Sequence, residues 1–174
     1  MKLASRARLT VGAAVVAVCS LTIGTHLRAA DIEGTSGNDF ITGTPDDDWI
    51  TGYEGNDRIT AGRGNDYTED YWGTNTFRFR MGDVDPYNTD YTWGSGNDTA
   101  QFYFPIKGRV FQAWGGFWTL RSEEGDEDPL MPFVVYDLNG GRYFFEGVST
   151  LQEMTPTGPR TIQSQDLPYD PYSD

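Results

Sequence analysis

A nine-residue unit occurs five times in succession between positions 34 and 78, and this period constrains the fold more than any other feature of the chain. The copies are GTSGNDFIT, GTPDDDWIT, GYEGNDRIT, AGRGNDYTE and DYWGTNTFR. Their first six places carry mainly turn-forming residues such as Gly, Asn and Asp, and their last three places favour strands. A fixed period with fixed chemistry at each place indicates one structural unit stacked on itself.

Two places in the unit determine how the copies would pack. The eighth place is the middle of a three-residue strand, so its side chain faces opposite to its two neighbours and into the core. It holds Ile41, Ile50, Ile59, Thr68 and Phe77. The sixth place is acidic or an amide in every copy, and it holds Asp39, Asp48, Asp57, Asp66 and Asn75. Thr68 is the exception in the apolar column and weakens it.

The pattern resembles the RTX (hemolysin-type) calcium-binding nonapeptide, G-G-x-G-x-D-x-U-x, in which U is apolar. The resemblance implies a parallel β-roll in which two copies form one coil. Stacked strands lie about 4.8 Å apart, so side chains eighteen positions apart would lie nearly above each other. Asp39 would then stack with Asp57 and Asn75, and Asp48 with Asp66.

Columns of carboxylates are unfavourable without a counter-ion. Two like charges about 4 Å apart repel by roughly 1 kcal/mol even in water, and residues 31–78 contain eleven Asp and Glu but three Arg. Calcium takes six to eight oxygen ligands, many of them backbone carbonyls, which glycine-rich turns expose. Magnesium fits less well because it demands octahedral geometry. We therefore expect Ca²⁺ as the bound ion.

The expected ligands are the sixth-place side chains, the turn residues that expose carbonyls, and a separate look-alike, WGSGNDTAQ, at 93–101. They are Asp39, Asp48, Asp57, Asp66, Asn75, Asp98, Gly34, Ser36, Gly37, Gly43, Asp46, Gly52, Gly55, Gly62 and Gly64. Asp46 replaces a glycine, so its turn is distorted or offers an extra carboxylate. Asn75 is neutral, so the ion beneath it should be weak or missing. Asp98 is expected either to bind an isolated ion or to form an Asx-turn.

The first thirty residues resemble an export signal. A basic start precedes an uncharged, apolar stretch at 9–23, which is short for a membrane span of about 20 residues, and Ala29-Ala30 offers a cleavage point. The alternatives are an uncleaved N-terminal anchor and a lipoprotein modified at Cys19. We expect a secreted or extracellular protein, with the periplasm left open, and no stable membrane span after signal removal.

Cleavage after Ala30 would leave a chain without Cys or His, because Cys19 and His26 lie in the removed part. This excludes disulfides and thiol chemistry and disfavours zinc or copper sites. The remaining part would hold nine Lys and Arg against 26 Asp and Glu, a formal charge of −17. Such a charge repels nucleic acid and anionic membranes, so no nucleic-acid partner is expected.

The composition divides the chain into four expected regions, and the expected fold is all-β, a short parallel β-roll capped by a C-terminal antiparallel β region. The regions are a secretion signal at 1–30, the calcium-binding roll at 31–78, an aromatic-rich β cap with a degenerate repeat at 79–152, and a disordered tail at 153–174. Strands are expected near 76–80 and 99–104. Asn139-Gly140 lies between two β-rich runs and predicts a hairpin with a tight primed turn.

An aromatic cap is expected because the bare end of a solenoid exposes its core and an open strand edge. Its expected contributors are Tyr71, Trp72, Phe77, Phe79, Phe102, Phe104, Phe111, Trp114, Phe144 and Phe145. A second group of rings would bind sugars or a cell-surface partner if it is exposed instead of packed. It comprises Trp72, Tyr87, Tyr91, Trp93, Trp114 and Trp118.

Three functions are weighed from these features. The main hypothesis is a secreted, non-catalytic calcium-binding protein whose roll folds on binding Ca²⁺. The first alternative is a module that binds extracellular polysaccharide or a cell surface. The second is a small calcium-dependent hydrolase, in which Glu123, Glu124, Glu146 and Glu153 would pair for glycoside cleavage. A solvated acidic loop and strand faces explain these glutamates more simply, so we expect no enzyme.

Overall fold

The computed structural model of the protein describes residues 8–10, 29–86, 88–112 and 132–163, and within them the chain forms twelve β-strands and no α-helix. The expectation of an all-β fold is confirmed. The strands are β1 Arg8–Thr10, β2 Asp31–Glu33, β3 Phe40–Thr42, β4 Trp49–Thr51, β5 Arg58–Thr60, β6 Tyr67–Glu69, β7 Thr76–Phe79, β8 Thr89–Phe102, β9 Val110–Gln112, β10 Phe133–Tyr136, β11 Arg142–Thr155 and β12 Gly158–Gln163.

The repeats form a parallel β-roll with two copies per coil, as predicted. Each short strand pairs with the strand two copies away, so β2, β4 and β6 form one face and β3, β5 and β7 form the other. The eighth places lie in register: Ile32, Ile50 and Thr68 on the first face, and Ile41, Ile59 and Phe77 on the second. All six side chains are buried, because both inner faces meet along this column.

Two long strands extend the roll beyond residue 78, its expected end. The start of β8 pairs in parallel with β6 (Tyr67 with Tyr91), and its second half pairs with β7 (Thr76 with Thr99). The first half of β8 therefore extends the face formed by β2, β4 and β6, and its second half extends the face formed by β3, β5 and β7. The strand begins ten residues before the expected strand at 99–104. Strand β11 pairs in parallel with β8 and so adds a further strand to both faces, with register shifts around Val148.

Antiparallel strands complete the fold, in agreement with the expected cap. Strand β10 pairs with β9 and with the start of β11. The predicted hairpin between β10 and β11 is confirmed, but the primed turn is wrong. The loop has three residues closed by the Asp137 N–H bond to Gly141 O at 2.9 Å, and only Gly140 in it has a positive φ. Asn139 is instead fixed by donating from Nδ2 to Val84 O at 2.9 Å.

The expectation of a disordered tail from 153 is wrong for its first part. Residues Thr150–Thr155 of β11 pair antiparallel with β12, Gly158–Gln163. The polar composition suggested disorder, but β11 presents an open edge to which the chain can pair, and Ile162 packs against the core. Arg160 and Glu153 add an ion pair at 2.7 Å. Residues 164–174 lie outside the described residues.

An aromatic cluster forms the core of the cap. Phe79, Phe102, Tyr143 and Phe145 contact one another with ring centroids 5.0 to 6.0 Å apart. Of the expected contributors, Phe77, Phe79, Phe102, Phe104 and Phe145 are buried, whereas Phe111 and Phe144 are half-buried. Tyr71 and Trp72 are exposed, so their assignment to the core was wrong: they lie on the outside of a turn. Trp114 lies outside the described residues.

Most of the expected export signal, residues 1–7 and 11–28, also lies outside the described residues. Of its described parts, residues 8–10 form β1, which pairs in parallel with β2 at the end of the roll, and the Ala30 N–H donates to Asp48 Oδ1 at 2.9 Å. Within the described parts of the chain, no helix is long and apolar enough to cross a membrane.

Candidate calcium-binding turns

The turns between strands form two stacks, one on each side of the roll. Turn stack A contains the sixth-place residues Asp39, Asp57 and Asn75 and continues to Asp98. Turn stack B contains Asp48 and Asp66 and continues to Asp90. All seven side chains are buried. The parallel pairing of strands two copies apart places each of these residues directly above the next.

One side-chain oxygen of each stacked residue except Asp39 accepts a backbone N–H from the neighbouring layer. In turn stack A, the N–H groups of Asp39 and Asp57 donate to Oδ1 of Asp57 and Asn75 at 2.8 Å. In turn stack B, the Asp48 N–H donates to Asp66 Oδ1 at 2.9 Å. The predicted stacking is therefore confirmed. The sequence spacing did not predict the hydrogen bonds between layers that hold the stacked residues in place. The column is held by backbone donors, which satisfy half of each carboxylate.

The second carboxylate oxygen accepts hydrogen bonds in the first layer of each stack. Thr35 donates to Asp39 Oδ2 from N–H (2.6 Å) and Oγ1 (2.8 Å), and the Thr44 N–H donates to Asp48 Oδ2 at 2.5 Å. In the deeper layers, three Oδ2 atoms are buried without a hydrogen-bond partner among the described residues. They belong to Asp57, Asp66 and Asp90. An unpaired buried carboxylate is costly, and a hard cation would relieve that cost.

Burial raises the pKa of these deeper carboxyl groups. The pKa rises to about 6 for Asp57, about 7 for Asp66 and about 8 for Asp90, in each case mainly because burial disfavours the charged form. Backbone N–H donors act in the opposite direction, and carboxylates in adjacent layers add repulsion. The stacks thus have an electrostatic deficit that only protons or a bound cation can remove.

The fourth-place glycines let successive turns approach closely. Gly55 has a φ of 128°, and a Cβ added there would lie 2.6 Å from Gly37 O. Asp46 occupies the same place in the second copy without a positive φ, as does Gly37 in the first copy, so the backbone does not single out the Asp46 turn. Its Oδ2 is buried without a hydrogen-bond partner in the described structure. Asp46 therefore stays a predicted ligand that offers an additional carboxylate.

The other turn residues of the expected ligand set occupy distinct positions. Gly34, Gly43 and Gly52 donate their N–H groups to strand carbonyls in the next coil at 2.8 to 2.9 Å. Gly62 and Gly64 have φ values of 113° and 131° and lie against the backbone of the turn two copies earlier. Ser36 is exposed. The backbones of these glycines therefore lie near the turn stacks, whereas Ser36 lies on the outside of the roll.

The structure changes the interpretation of Asp98 and adds Asp90. Asp98 is not isolated, because its Oδ1 accepts the Asn75 N–H at 2.7 Å and so forms the fourth layer of turn stack A. Asp90 was missed because it lies 24 positions after Asp66, whereas earlier layers are 18 apart. An insertion after β7 breaks the period. The signal that could have found it is the order Asn88-Thr89-Asp90-Tyr91-Thr92, which resembles Asn65-Asp66-Tyr67-Thr68.

Side chains alone do not form a metal site here. Among the described residues, no group of three or more His, Cys, Asp or Glu side chains is arranged to hold a metal ion. A cation in the stacks therefore needs backbone carbonyls as well as carboxylates. Such an oxygen-only donor set suits Ca²⁺, which accepts irregular shells of six to eight ligands.

The fold and the stacked acidic turns define the class of protein, a calcium-binding parallel β-roll. A family model described as the RTX calcium-binding nonapeptide repeat (4 copies) matches residues 33–67. This segment consists of RTX repeats, and RTX nonapeptide repeats bind Ca²⁺. No curated protein and no solved structure gave a match. The matched residues cover the first four copies, so the fifth copy and the layers of Asp90 and Asp98 lie beyond them.

Proposed function

We propose that the protein is secreted and that its β-roll folds as it binds Ca²⁺, which has a structural and not a catalytic role. The observation that carries this proposal is the set of buried, unpaired carboxylate oxygens on Asp57, Asp66 and Asp90. These atoms destabilise the folded roll unless a cation binds them. The free energy of binding would then contribute directly to folding. The expected ligand residues are proposed to act with neighbouring carbonyls.

Secretion is supported by the N-terminal sequence and by the chemistry of the ion. RTX repeat proteins are typically extracellular. Extracellular calcium modules bind with dissociation constants of about 10⁻⁴–10⁻³ M. A roll of that affinity would remain unfolded in a cytosol poor in calcium and would fold after export.

A structural role agrees with the placement of the glutamates that an enzyme would need. Glu153 is engaged by Arg160 at 2.7 Å and accepts the Ile106 N–H at 3.1 Å. Glu146 lies seven residues earlier on the same strand, β11. Glu123 and Glu124 lie outside the described residues. The chain beyond residue 30 has no His or Cys to serve as base or nucleophile.

The test is circular dichroism of the full chain while Ca²⁺ is titrated. The β signal should be low in chelator and should rise to a plateau by about 10 mM Ca²⁺, well above the range for extracellular modules. An equal concentration of Mg²⁺ should give a much smaller rise, because its octahedral demand fits the stacks poorly. A spectrum that stays constant throughout would refute coupled folding.

A second candidate function is supported by a row of aromatic side chains on the outer face of the roll. Trp49, Tyr67, Tyr91 and Phe144 occupy equivalent register positions on adjacent strands. The Trp49 and Tyr67 ring centroids are 4.4 Å apart, and those of Tyr91 and Phe144 are 5.8 Å apart. Stacked rings of this kind offer a surface for sugar faces.

Titration of the calcium-loaded protein with soluble polysaccharides, followed by Trp fluorescence, would test this second candidate. Binding should shift the emission of the wild-type chain and should weaken in Tyr91→Ala. Trp72, which is 63% exposed on a turn, provides the control variant Trp72→Ala. Of the rings expected from sequence, Tyr87, Trp114 and Trp118 lie outside the described residues. No emission change with any polysaccharide would count against a sugar-binding role.

A further inference from the structure

Asp70 places a carboxylate where the repeat ordinarily has its smallest residues. It occupies the first place of the fifth copy, which is filled in the other copies by Gly34, Gly43, Gly52 and Ala61. Its side chain is completely buried, at 0% exposure. Neither Oδ1 nor Oδ2 makes a hydrogen bond of normal geometry among the described residues, although the Asp57 carboxyl and the Trp72 N–H lie close enough to act on the pKa of Asp70. A fully buried carboxylate with two unsatisfied oxygens needs a proton or a cation.

The unsatisfied oxygens of Asp70 and Asp57 point to the same place in turn stack A. A Cβ added at Gly52 would collide with Asp70 Oδ2 and would lie 2.9 Å from Asp57 Oδ2. Asp98, in the layer on the other side of Asp70, adds a third negative charge that acts on Asp70. Two carboxylates from adjacent layers, Asp57 and Asp70, therefore meet beneath Gly52, and Asp98 acts on Asp70 through its charge.

The position of Asp70 coincides with the layer in which the stack lacks a carboxylate. Asn75 is the sixth-place residue of the same copy, and its Oδ1 already accepts the Asp57 N–H at 2.8 Å. The Asn75 amide can supply no second oxygen, because its other terminal atom is Nδ2, which is buried without a partner in the described structure. Asp70 restores to this layer the negative charge that Asn75 omits.

We propose that Asp70 and Asp57 hold a hard divalent cation in turn stack A, with Asp98 contributing charge and with backbone carbonyls and water completing the shell. The cation is Ca²⁺, a choice that rests on the proposed function. This site uses a first-place carboxylate, which the nonapeptide pattern G-G-x-G-x-D-x-U-x does not contain. The fifth copy, whose Asn75 predicts a weak or missing ion, thus binds calcium through a different side chain.

Isothermal titration calorimetry of the full chain with CaCl₂ tests the proposal. The variants are Asp70→Asn, which keeps the shape, and Asp70→Gly, which restores the residue found at Gly52. Asp47→Asn is the matched control, because it removes one charge from an exposed turn residue and keeps the Oδ1 that accepts the Asn65 N–H at 2.9 Å. Circular dichroism in saturating Ca²⁺ checks that each variant folds.

The expected result is that both Asp70 variants bind one Ca²⁺ fewer per chain, or bind one at least tenfold more weakly, while Asp47→Asn matches the wild type. Unchanged number and affinity in both Asp70 variants would overturn this site and leave the proposed function standing. A wild-type chain that takes up no Ca²⁺ would overturn both. If Asp70→Asn does not fold, the count from Asp70→Gly decides. Failure of both to fold in saturating Ca²⁺ would also overturn the site, because the remaining sites should still order the roll.

Discussion

At the scale of single residues, the sixth-place aspartates of the deeper layers, Asp57 and Asp66, each have two separable roles. In each, Oδ1 accepts a backbone N–H from the adjacent layer, as in the 2.9 Å bond from Asp48 to Asp66. The Oδ2 atom is left for a cation. An Asp→Asn substitution preserves the first role and removes the second, so it separates the hydrogen-bonding part of the stack from its ion-binding part.

Asp66→Asn should therefore have opposite effects in the two states. Without metal at pH 8, it should leave the residual β signal unchanged or raise it, because it removes from the folded roll a buried carboxylate whose pKa is raised to about 7. With calcium, it should lower the free energy of unfolding by about 1–3 kcal/mol, the scale of one contact to a charged group. Circular dichroism in chelator measures the first effect, and urea unfolding in 10 mM Ca²⁺ (about tenfold above the weakest expected affinity) measures the second. Equal free energies of unfolding for Asp66→Asn and wild type in calcium would contradict the assignment.

Gly55 should tolerate no side chain, because its neighbour in the stack is backbone. Gly55→Ala would place a Cβ 2.6 Å from Gly37 O, whereas Gly158→Ala, at a similar φ of 120°, meets no described atom within 4 Å. The difference in unfolding free energy between the two variants should be about 1–3 kcal/mol, the usual cost of overpacking. Chemical denaturation in saturating Ca²⁺ measures it. Equal losses of unfolding free energy in the two variants would show that the positive φ alone, and not the contact with Gly37 O, disfavours a side chain at Gly55.

At the scale of elements, the three-residue strands of the roll bury their middle residue, and the outer residues other than Thr51 are half-buried or exposed. Ile41 is 3% exposed and Phe40, its neighbour in β3, is 58% exposed. Ile41→Ala should lower the unfolding free energy by about 2–5 kcal/mol through the cavity it leaves. Phe40→Ala should cost about 0.5–1 kcal/mol, the value of its surface contact with the Arg58 guanidinium. Melting temperatures of the two calcium-loaded variants test this order, and a larger loss in Phe40→Ala would contradict it.

The repeat period, together with the family resemblance that it carries, predicted the parallel strands and the two acidic columns. It failed where spacing was no longer regular. Asp90 and Asp98 lie 24 and 23 positions after the residues they stack with, so a fixed step of 18 could not identify them as layers. Asp70 escaped prediction because the first place of the unit was treated only as a backbone position.

Long-range contacts account for the remaining errors in the elements. The hairpin loop after β10 was expected to have a primed turn, but Asn139 is held by Val84 O, 55 positions away. Strand β12 was expected to be disordered from its composition, yet it pairs with the edge of β11. Local sequence carries no information on such tertiary partners, which override turn and strand propensities.

At the scale of the whole molecule, buried acidity makes the metal-free protein sensitive to pH. In the folded state, burial raises the pKa of Asp57, Asp66 and Asp90 from the ordinary value of 3.8 to between about 6 and about 8. A raised carboxyl pKa contributes stability that is complete below about pH 4 and is lost as pH rises through the folded pKa. Metal-free protein should therefore lose stability between pH 5 and pH 8.

The far-UV circular dichroism of the protein in chelator at pH 5, 6.5 and 8 checks this prediction. The β signal should fall continuously as pH rises, and saturating Ca²⁺ should remove most of the fall, because the cation replaces the proton as the partner of the carboxylates. A metal-free β signal that rises from pH 5 to pH 8 would mean that the carboxylates of the stacks do not destabilise the roll when they are charged. The carboxylate columns would then need no counter-ion.

Hydrogen–deuterium exchange, read by mass spectrometry on peptides from residues 31–78, tests the central claim most directly. The claim is that the stacked carboxylates allow the roll to fold only when Ca²⁺ lies among them. In chelator at pH 8 these amides should exchange at nearly the rate of an unfolded chain, and Ca²⁺ should slow them by about 100-fold or more, the effect of about 2.7 kcal/mol of ligand stabilisation. Equal, strong protection with and without Ca²⁺ would contradict the claim.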